Sequence, residues 1–264
     1  MNGIHHTLGS FPGLRFVDAM RMALDMPELG SVKHVQLCPQ NFGPVDEVLD
    51  ELVAMSPETA YRLHANVRVV GHGRAFDCST EGVEHDAYFR RLGDISRQLG
   101  ADVYTLHAGE RKDRPVSDLV GRVERIEDLM GVSVGVEGHY PDKGNKWWIS
   151  SWNEYAWLLD SGLKYALDLS HLHIVATRER CVHQNLVREL LSSDRCVEVH
   201  LSGNDGHSDA HVRLSDCPVF WWQELLTSKN PAAIQFYEGN EVRGPEAASR
   251  MRDRMLHKKP LVII

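Results

Sequence analysis

Basic residues are under-represented in this 264-residue sequence, which has 29 lysines and arginines against 37 acidic residues. The formal net charge is -8 with histidine neutral. This balance disfavours a broad nucleic-acid-binding surface, so we do not expect duplex DNA as a partner. No stretch of about 18 apolar residues is present, so we expect no membrane span.

Cysteine is also scarce, and the five cysteines form no CxxC pair. An odd number of cysteines, without an N-terminal segment typical of a secretory leader, predicts reduced thiols and a cytoplasmic protein. A glycine-rich phosphate fingerprint is absent after the early apolar runs. This absence disfavours an open, doubly wound nucleotide-binding sheet, which is the alternative fold.

Short apolar runs alternate with longer amphipathic segments along the whole chain. The predicted strands are 3–8, 32–37, 61–67, 102–107, 132–137, 164–169, 196–201 and 233–238. The predicted helices include 46–55, 85–99, 116–130, 152–159 and 241–256, with Gly100 as a helix-ending residue. Eight strand–helix units predict a single-domain (β/α)8 TIM barrel over residues 1–264, since such barrels contain about 250 residues.

Histidines and carboxylates recur where the predicted strands end. In a TIM barrel these ends face the active-site mouth. Ionisable groups that follow buried strands are costly unless they are paired or bind a metal. The candidate metal ligands are His64, His107, Glu137, Asp168, His171, His200, Asp209, His211 and Glu238.

Five imidazoles and four carboxylates exceed the four ligands of a closed zinc site and predict two or three ions with bridging carboxylates. Such ligands suit zinc, iron, manganese or cobalt, and the lack of nearby thiolates argues against a soft-metal site. Glu137 and Glu238 are also candidates for catalysis, as is His139 beside them. Candidates for substrate binding at the mouth are Glu110, Asn204 and His207.

Two close pairs of ligands carry geometric expectations. Asp168 and His171 are three residues apart, so the chain must turn after the sixth strand for both to face the mouth. Asp209 and His211 are two apart, so both can face one ion if that loop is locally extended.

At these residues the chain resembles the xylose isomerase-like TIM-barrel superfamily, which includes AP endonuclease family 2. The endonuclease IV branch has nine metal ligands in the order His, His, Glu, Asp-x-x-His, His, Asp-x-His, Glu. The nine candidate ligands of this chain follow the same order from His64 to Glu238. After His200, however, the sequence reads Leu-Ser-Gly-Asn-Asp-Gly, whereas endonuclease IV has Asn-Asp-Ser-Lys.

The region from His200 to the apolar segment with Trp221 and Trp222 is similar to another branch. That branch is the multinuclear iron family of the methanobactin biosynthesis oxidase, which modifies peptide cysteines and usually works with a partner protein. Its members usually carry Asn where this chain has His171. Sugar isomerases and epimerases share the barrel but normally use fewer metals and histidines.

The predicted chemistry is activation of water or of a substrate oxygen by metal ions. It fits an isomerase, epimerase or hydrolase whose substrate is a small molecule or a short peptide. With iron, oxidation of a peptide becomes possible. The same ligand pattern is also compatible with an AP endonuclease-like phosphodiesterase and with a barrel that binds metal without turnover.

Overall fold

The computed structural model describes residues 3–67, 76–242 and 261–264, in which eight parallel strands close into a barrel. In order around the barrel these strands are β1 (Ile4–Thr7), β2 (Ser31–Leu37), β3 (Ala60–Leu63), β4 (Val103–His107), β5 (Ser133–Glu137), β6 (Tyr165–Asp168), β8 (Cys196–Leu201) and β9 (Ile234–Tyr237). Two further strands, β7 (Cys181–Val182) and β10 (Val262–Ile263), pair with each other outside the barrel. The predicted (β/α)8 architecture is confirmed.

Helices lie between the strands. The α-helices of the described ranges are α1 (Phe16–Asp25), α2 (Leu49–Met55), α3 (Asp86–Gln98), α4 (Asp118–Met130), α5 (Trp152–Asp160), α6 (Leu169–Glu179) and α7 (Gln184–Ser192). The connection from β8 to β9 differs, because it contains the 3-10 helices Leu214–Asp216 and Gln223–Ser228 instead of an α-helix. Most of the predicted helix 241–256 lies outside the described residues. No helix within the described ranges is long and apolar enough to cross a membrane.

Helix α3 shows how the sequence pattern produces the outer layer. Tyr88, Leu92 and Ile95 recur at helical spacing and are buried against the barrel. Gly100 follows the helix with φ 66°, as predicted for a residue that ends a helix in the left-handed region. Gly93 faces α4 so closely that a side chain there would collide with the carbonyl group of Met130.

Alternation along the strands gives the barrel a polar interior. Residues two apart point to the same face, so Arg62 shares a direction with His64, and Glu198 shares one with His200. Arg62 and Glu198, the residues of each pair that lie further from the barrel mouth, meet inside the barrel. There Arg62 Nη1 donates to Glu198 Oε1 at 2.9 Å, and Thr105 Oγ1 donates to Glu198 Oε2 at 2.6 Å. His64 and His200 lie at the carboxyl ends of the strands.

The register of the sheet aligns two pairs of predicted ligands. His107 lies opposite Glu137 where β4 pairs with β5, and Asp168 lies opposite His200 where β6 pairs with β8. Their side chains therefore start from the same level of the barrel.

Candidate metal centre

Glu137, the last residue of β5, lies at the centre of a side-chain cluster at the barrel mouth. Its Oε2 atom is 3.5 Å from Nε2 of His64, 3.6 Å from Nδ1 of His200 and 3.8 Å from Nε2 of His107. Its Oε1 atom is 3.7 Å from Nδ1 of His171. These separations are longer than that of an ordinary hydrogen bond, and the atoms of His64, His107 and His200 surround a common space beside Glu137 Oε2.

Overlapping triads of side chains can each offer three atoms to one ion. They are His64–Glu137–His200, Glu137–Asp168–His171 and Asp168–His200–Glu238. Within each triad the offered atoms lie within 4.8 Å of one another. Because Glu137 and Asp168 each belong to two triads and have two carboxylate oxygens, they are positioned to connect neighbouring ions.

Asp209 and His211 extend this cluster on its open side. Asp209 Oδ2 is 3.0 Å from Nε2 of His211 and 3.4 Å from Nε2 of His171, and Nδ1 of His211 is 3.8 Å from Glu238 Oε2. The side chains of Asp209 and His211 are 20% and 28% exposed, whereas that of Glu137 is 2% exposed. All nine predicted ligands therefore lie together, although their binding of metal stays a prediction.

The chain turns immediately after β6, as the spacing of Asp168 and His171 requires. Asp168 caps α6, because its Oδ1 accepts hydrogen bonds from the backbone N–H groups of Ser170 and His171. The expected extension of the second pair is not observed, since His211 has φ 44° and lies in the left-handed region. Asp209 and His211 meet through this local turn instead.

Backbone carbonyls orient two of the imidazoles. Nδ1 of His171 lies 2.8 Å from the carbonyl oxygen of Gly138, and Nδ1 of His211 lies 3.1 Å from that of Glu238. A carbonyl oxygen only accepts, so in both rings Nδ1 carries the hydrogen and Nε2 is directed into the cluster.

Glu198 is a buried residue of the site that the sequence pattern did not predict. Its Oε2 atom lies 3.0 Å from Nε2 of His200, on the side of the ring away from the cluster. Burial favours the neutral carboxyl, but His200 and Arg62 outweigh it and lower the pKa of Glu198 to about 2. The signal was its position two residues before His200 on the same strand face.

The two carboxylates proposed for catalysis differ in their electrostatics. Burial opposes ionisation of Glu137, but the neighbouring imidazoles, led by His64, hold its pKa well below the usual range. Burial dominates at Glu238 and raises its pKa to about 7, although His200 opposes the shift. Burial would lower the pKa of His211, but Asp209 outweighs it and raises that pKa to about 10.

The cluster has the properties of a metal site. Glu137 Oε2 and His200 Nδ1 are buried without a hydrogen-bond partner, a costly arrangement that an ion between them would relieve. Cys38 is buried beside Thr7, with 2.6 Å between Cys38 Sγ and Thr7 Oγ1. Burial raises the pKa of the Cys38 thiol to about 12, so this thiol keeps its proton. Nitrogen and oxygen ligands without a thiolate suit zinc, iron or manganese.

His139 lies at the rim, beside the cluster. Its ring centroid is 5.1 Å from that of His107 and 4.6 Å from that of Trp147, on which it stacks. Nε2 of His139 is buried without a hydrogen-bond partner. Burial and then the charge of His107 hold the pKa of His139 well below the usual range, so the ring is neutral and a weaker base than free imidazole.

The three candidates for substrate binding occupy different environments. Glu110 lies beside Lys146, with 3.5 Å between Oε1 and Nζ. His207 is exposed at a loop. Asn204 is fully buried, donating to the Ser170 carbonyl at 2.7 Å and accepting from the Gly206 N–H at 2.6 Å. The Asn204 side chain therefore holds the loop in place, and its contact with substrate stays a prediction.

No known protein-family profile and no curated protein sequence matches this chain. Solved structures do share its architecture. A D-tagatose 3-epimerase-like protein has 13% identity and a TM-score of 0.64, covering 96% of this chain and 97% of its own. An AP endonuclease, family 2, from Brucella melitensis has 13% identity and a TM-score of 0.63, with 94% and 96% covered. A xylose isomerase domain-containing protein from Salmonella typhimurium LT2 has 16% identity and a TM-score of 0.62, with 96% of each chain covered. The chain thus has the TIM-barrel fold of these structures, as its sequence predicts.

Proposed function

We propose that this chain is a metal-dependent enzyme acting on a small molecule, as an isomerase or epimerase of a sugar-like substrate or as a hydrolase. The observation that carries the proposal is the convergence of imidazoles and carboxylates on Glu137, with buried atoms that lack partners. The similarity to a D-tagatose 3-epimerase-like protein is a likeness of fold, and it favours an epimerase.

Ions held by the three overlapping triads would polarise a substrate oxygen or make water more acidic. The chain's own residues supply the rest. Glu137, Asp168 and His200 are buried and hold fixed positions. His139 is a neutral imidazole at the rim, and its stacking on Trp147 keeps the ring oriented. In an epimerisation, a base beside the ions would take the proton from a carbon next to a carbonyl group, and a proton would return to the opposite face of that carbon. Glu238, whose pKa is raised to about 7, is a stronger base for this step than His139, whose pKa is lowered.

A second candidate is iron-dependent oxidation of a short peptide with dioxygen as the oxidant. It is favoured by the number of imidazoles, since five of the nine clustered side chains are histidines. Such a set exceeds what a one-metal or two-metal epimerase needs. Iron and imidazole-carboxylate ligands are a combination used in oxygen chemistry.

The test begins with protein purified without added metal, in which zinc, iron and manganese are counted per chain. The metal-loaded protein is then incubated with a panel of ketoses and aldoses in D2O, and deuterium uptake beside the carbonyl group is measured. We expect at least two ions per chain and uptake that is lost in Glu137→Gln. His183→Ala is the matched control, because the His183 ring packs beside Trp152, with ring centroids 5.2 Å apart, outside the cluster.

Fewer than two ions per chain would contradict the proposal, as would normal metal content and activity in Glu137→Gln. Iron together with oxygen consumption on addition of peptide would support the second candidate. Cleavage of abasic-site duplex DNA, abolished in His107→Ala, would instead indicate a phosphodiesterase. We do not expect cleavage, because the net charge of -8 provides no general attraction for phosphates.

A further inference from the structure

Glu198 has no place in the ligand set, yet it is among the most completely enclosed charged groups of the described chain. It is 0% exposed in the middle of β8, inside the barrel and below the cluster. Its Oε1 accepts from Arg62 at 2.9 Å. Its Oε2 accepts from Thr105 at 2.6 Å and Gln36 at 2.8 Å. A buried carboxylate with this many donors is held in one orientation.

The same Oε2 atom lies 3.0 Å from Nε2 of His200. A carboxylate can only accept, so Nε2 of His200 must carry the hydrogen between them. The amide nitrogen of Gln36, 3.2 Å from the same Nε2, is a donor and cannot receive it. Nδ1 of His200 is then the atom left for an ion, and it faces Glu137 at 3.6 Å and Glu238 at 3.4 Å.

This arrangement is the reverse of that in His171 and His211, whose Nδ1 atoms are taken by backbone carbonyls. A carbonyl is neutral, whereas Glu198 is a carboxylate stabilised by Arg62. His200 therefore has a charged partner behind its ring. Such partners make an imidazole a stronger ligand and prevent its ring from flipping.

We propose that Glu198, stabilised by Arg62, is a positioning residue that commits His200 to binding metal through Nδ1 and strengthens it as a ligand. This inference rests on the proposed metal-dependent function. It concerns the barrel interior, where Arg62 and Glu198 form an ion pair with side chains 12% and 0% exposed.

Removal of Glu198 alone would leave Arg62 inside the barrel without its buried partner, with only the exposed Asp102 at 3.3 Å, which can prevent folding. The informative variant is therefore Arg62→Met/Glu198→Leu, which replaces both members of the pair by apolar side chains. A matched control is Asp86→Leu/Arg125→Met, which removes the ion pair between α3 and α4 on the outside of the barrel. Glu198→Gln tests whether a neutral acceptor restores part of the effect.

Each protein is labelled with 15N-histidine, loaded with 113Cd²⁺ and examined by NMR, and its cadmium affinity is measured against a chelator. We expect the wild type and the control to show cadmium coupling to Nδ1 of His200. In the Arg62→Met/Glu198→Leu variant we expect that coupling to be lost and affinity to fall by about 10–100-fold, with Glu198→Gln intermediate.

Wild-type affinity and Nδ1 coupling in the folded Arg62→Met/Glu198→Leu variant would overturn the role of Glu198 while leaving the proposed function intact. Coupling of cadmium to Nε2 of His200 in the wild type would also overturn it. A wild type that binds no cadmium, zinc, iron or manganese would overturn the proposed function and this inference together.

Discussion

Asp168 contacts His171 in two ways. Its Oδ1 accepts the backbone N–H of His171 at 3.0 Å, and its Oδ2 lies 3.5 Å from Nε2 of the same residue. One carboxylate therefore both starts α6 and contributes to the cluster. The position of His171 depends on the cap, since His171 lies in the first turn of that helix.

These two roles of Asp168 can be separated by substitution. Asp168→Asn keeps an oxygen that can cap α6 but loses the charge, so we expect loss of at least one metal equivalent with little change in unfolding free energy. Asp168→Ala removes the cap as well and should lower stability by a further ~1 kcal/mol. Metal content and urea unfolding of the metal-free proteins measure the two effects. Equal stability of the Asn and Ala variants would contradict the capping role.

His171 and His211 supply a second prediction. We expect His171→Ala and His211→Ala each to remove at least one metal equivalent while the barrel stays folded, because neither side chain lies in a barrel strand. Metal analysis alongside circular dichroism is the measurement. His183→Ala should keep full metal content. Full occupancy in both cluster variants would show that these histidines only neighbour the site, and a three-ion centre would then be wrong.

Metal affinity should depend on pH in a defined direction. Ligands bind metal without their protons. In the metal-free protein the pKa of His211 is about 10 and that of Glu238 about 7. Affinity should therefore fall as pH decreases from 9, and fall more steeply below about pH 7, where Glu238 also holds a proton that must leave. Chelator competition between pH 6 and 9 measures this.

The Glu238→Gln variant has no carboxyl group to titrate at this position. Its metal affinity should be lower than that of the wild type, and its plot of affinity against pH should lack the steeper fall below pH 7. Proton release, followed by calorimetry in buffers of different ionisation enthalpy, should be larger at pH 6 than at pH 8 in the wild type. Release that is independent of pH would contradict the assignment to Glu238.

Two glycines in neighbouring helices give opposite predictions for stability. A Cβ atom at Gly93 in α3 would collide with the carbonyl group of Met130, so Gly93→Ala should destabilise the protein by about 1–3 kcal/mol. Gly121, inside α4, has no heavy atom within 4 Å of an added Cβ. Gly121→Ala should stabilise by about 0.5–1 kcal/mol, because alanine favours a helix. Thermal unfolding of both variants measures the two changes in stability. A stabilised Gly93→Ala protein would contradict the close packing of α3 on α4.

The barrel was predictable because its strands are short apolar runs separated by amphipathic helices, a local pattern. The strand predicted at 61–67 ends earlier, at Leu63, because the backbone hydrogen bonds to neighbouring strands, and not the composition, set the end of a strand. The pair of β7 and β10 was not predicted, since two residues carry too little pattern. The 3-10 helices between β8 and β9 were likewise beyond a periodicity argument, which detects longer helices.

The cluster was predictable in membership and less so in detail. Strand ends converge in a closed barrel, so ligand-type residues at those ends had to approach one another. The left-handed backbone of His211 could not be read from its residue type, because histidine adopts that conformation more often than most residues but still only in a minority of cases. Glu198 was not predicted because it lies within an apolar strand rather than at its end, although its position two residues before His200 is a signal, and its burial with Arg62 establishes its place.

The register that sets His107 opposite Glu137 and Asp168 opposite His200 ties the inner cluster to the backbone hydrogen bonds of the sheet. The backbone positions of these four residues are consequently fixed by the folding of the barrel itself. The loops beyond them are not constrained in this way. Insertions or substitutions in the loops can change which molecule reaches the cluster without moving Glu137 or Asp168, so new binding preferences can evolve around an unchanged set of side chains.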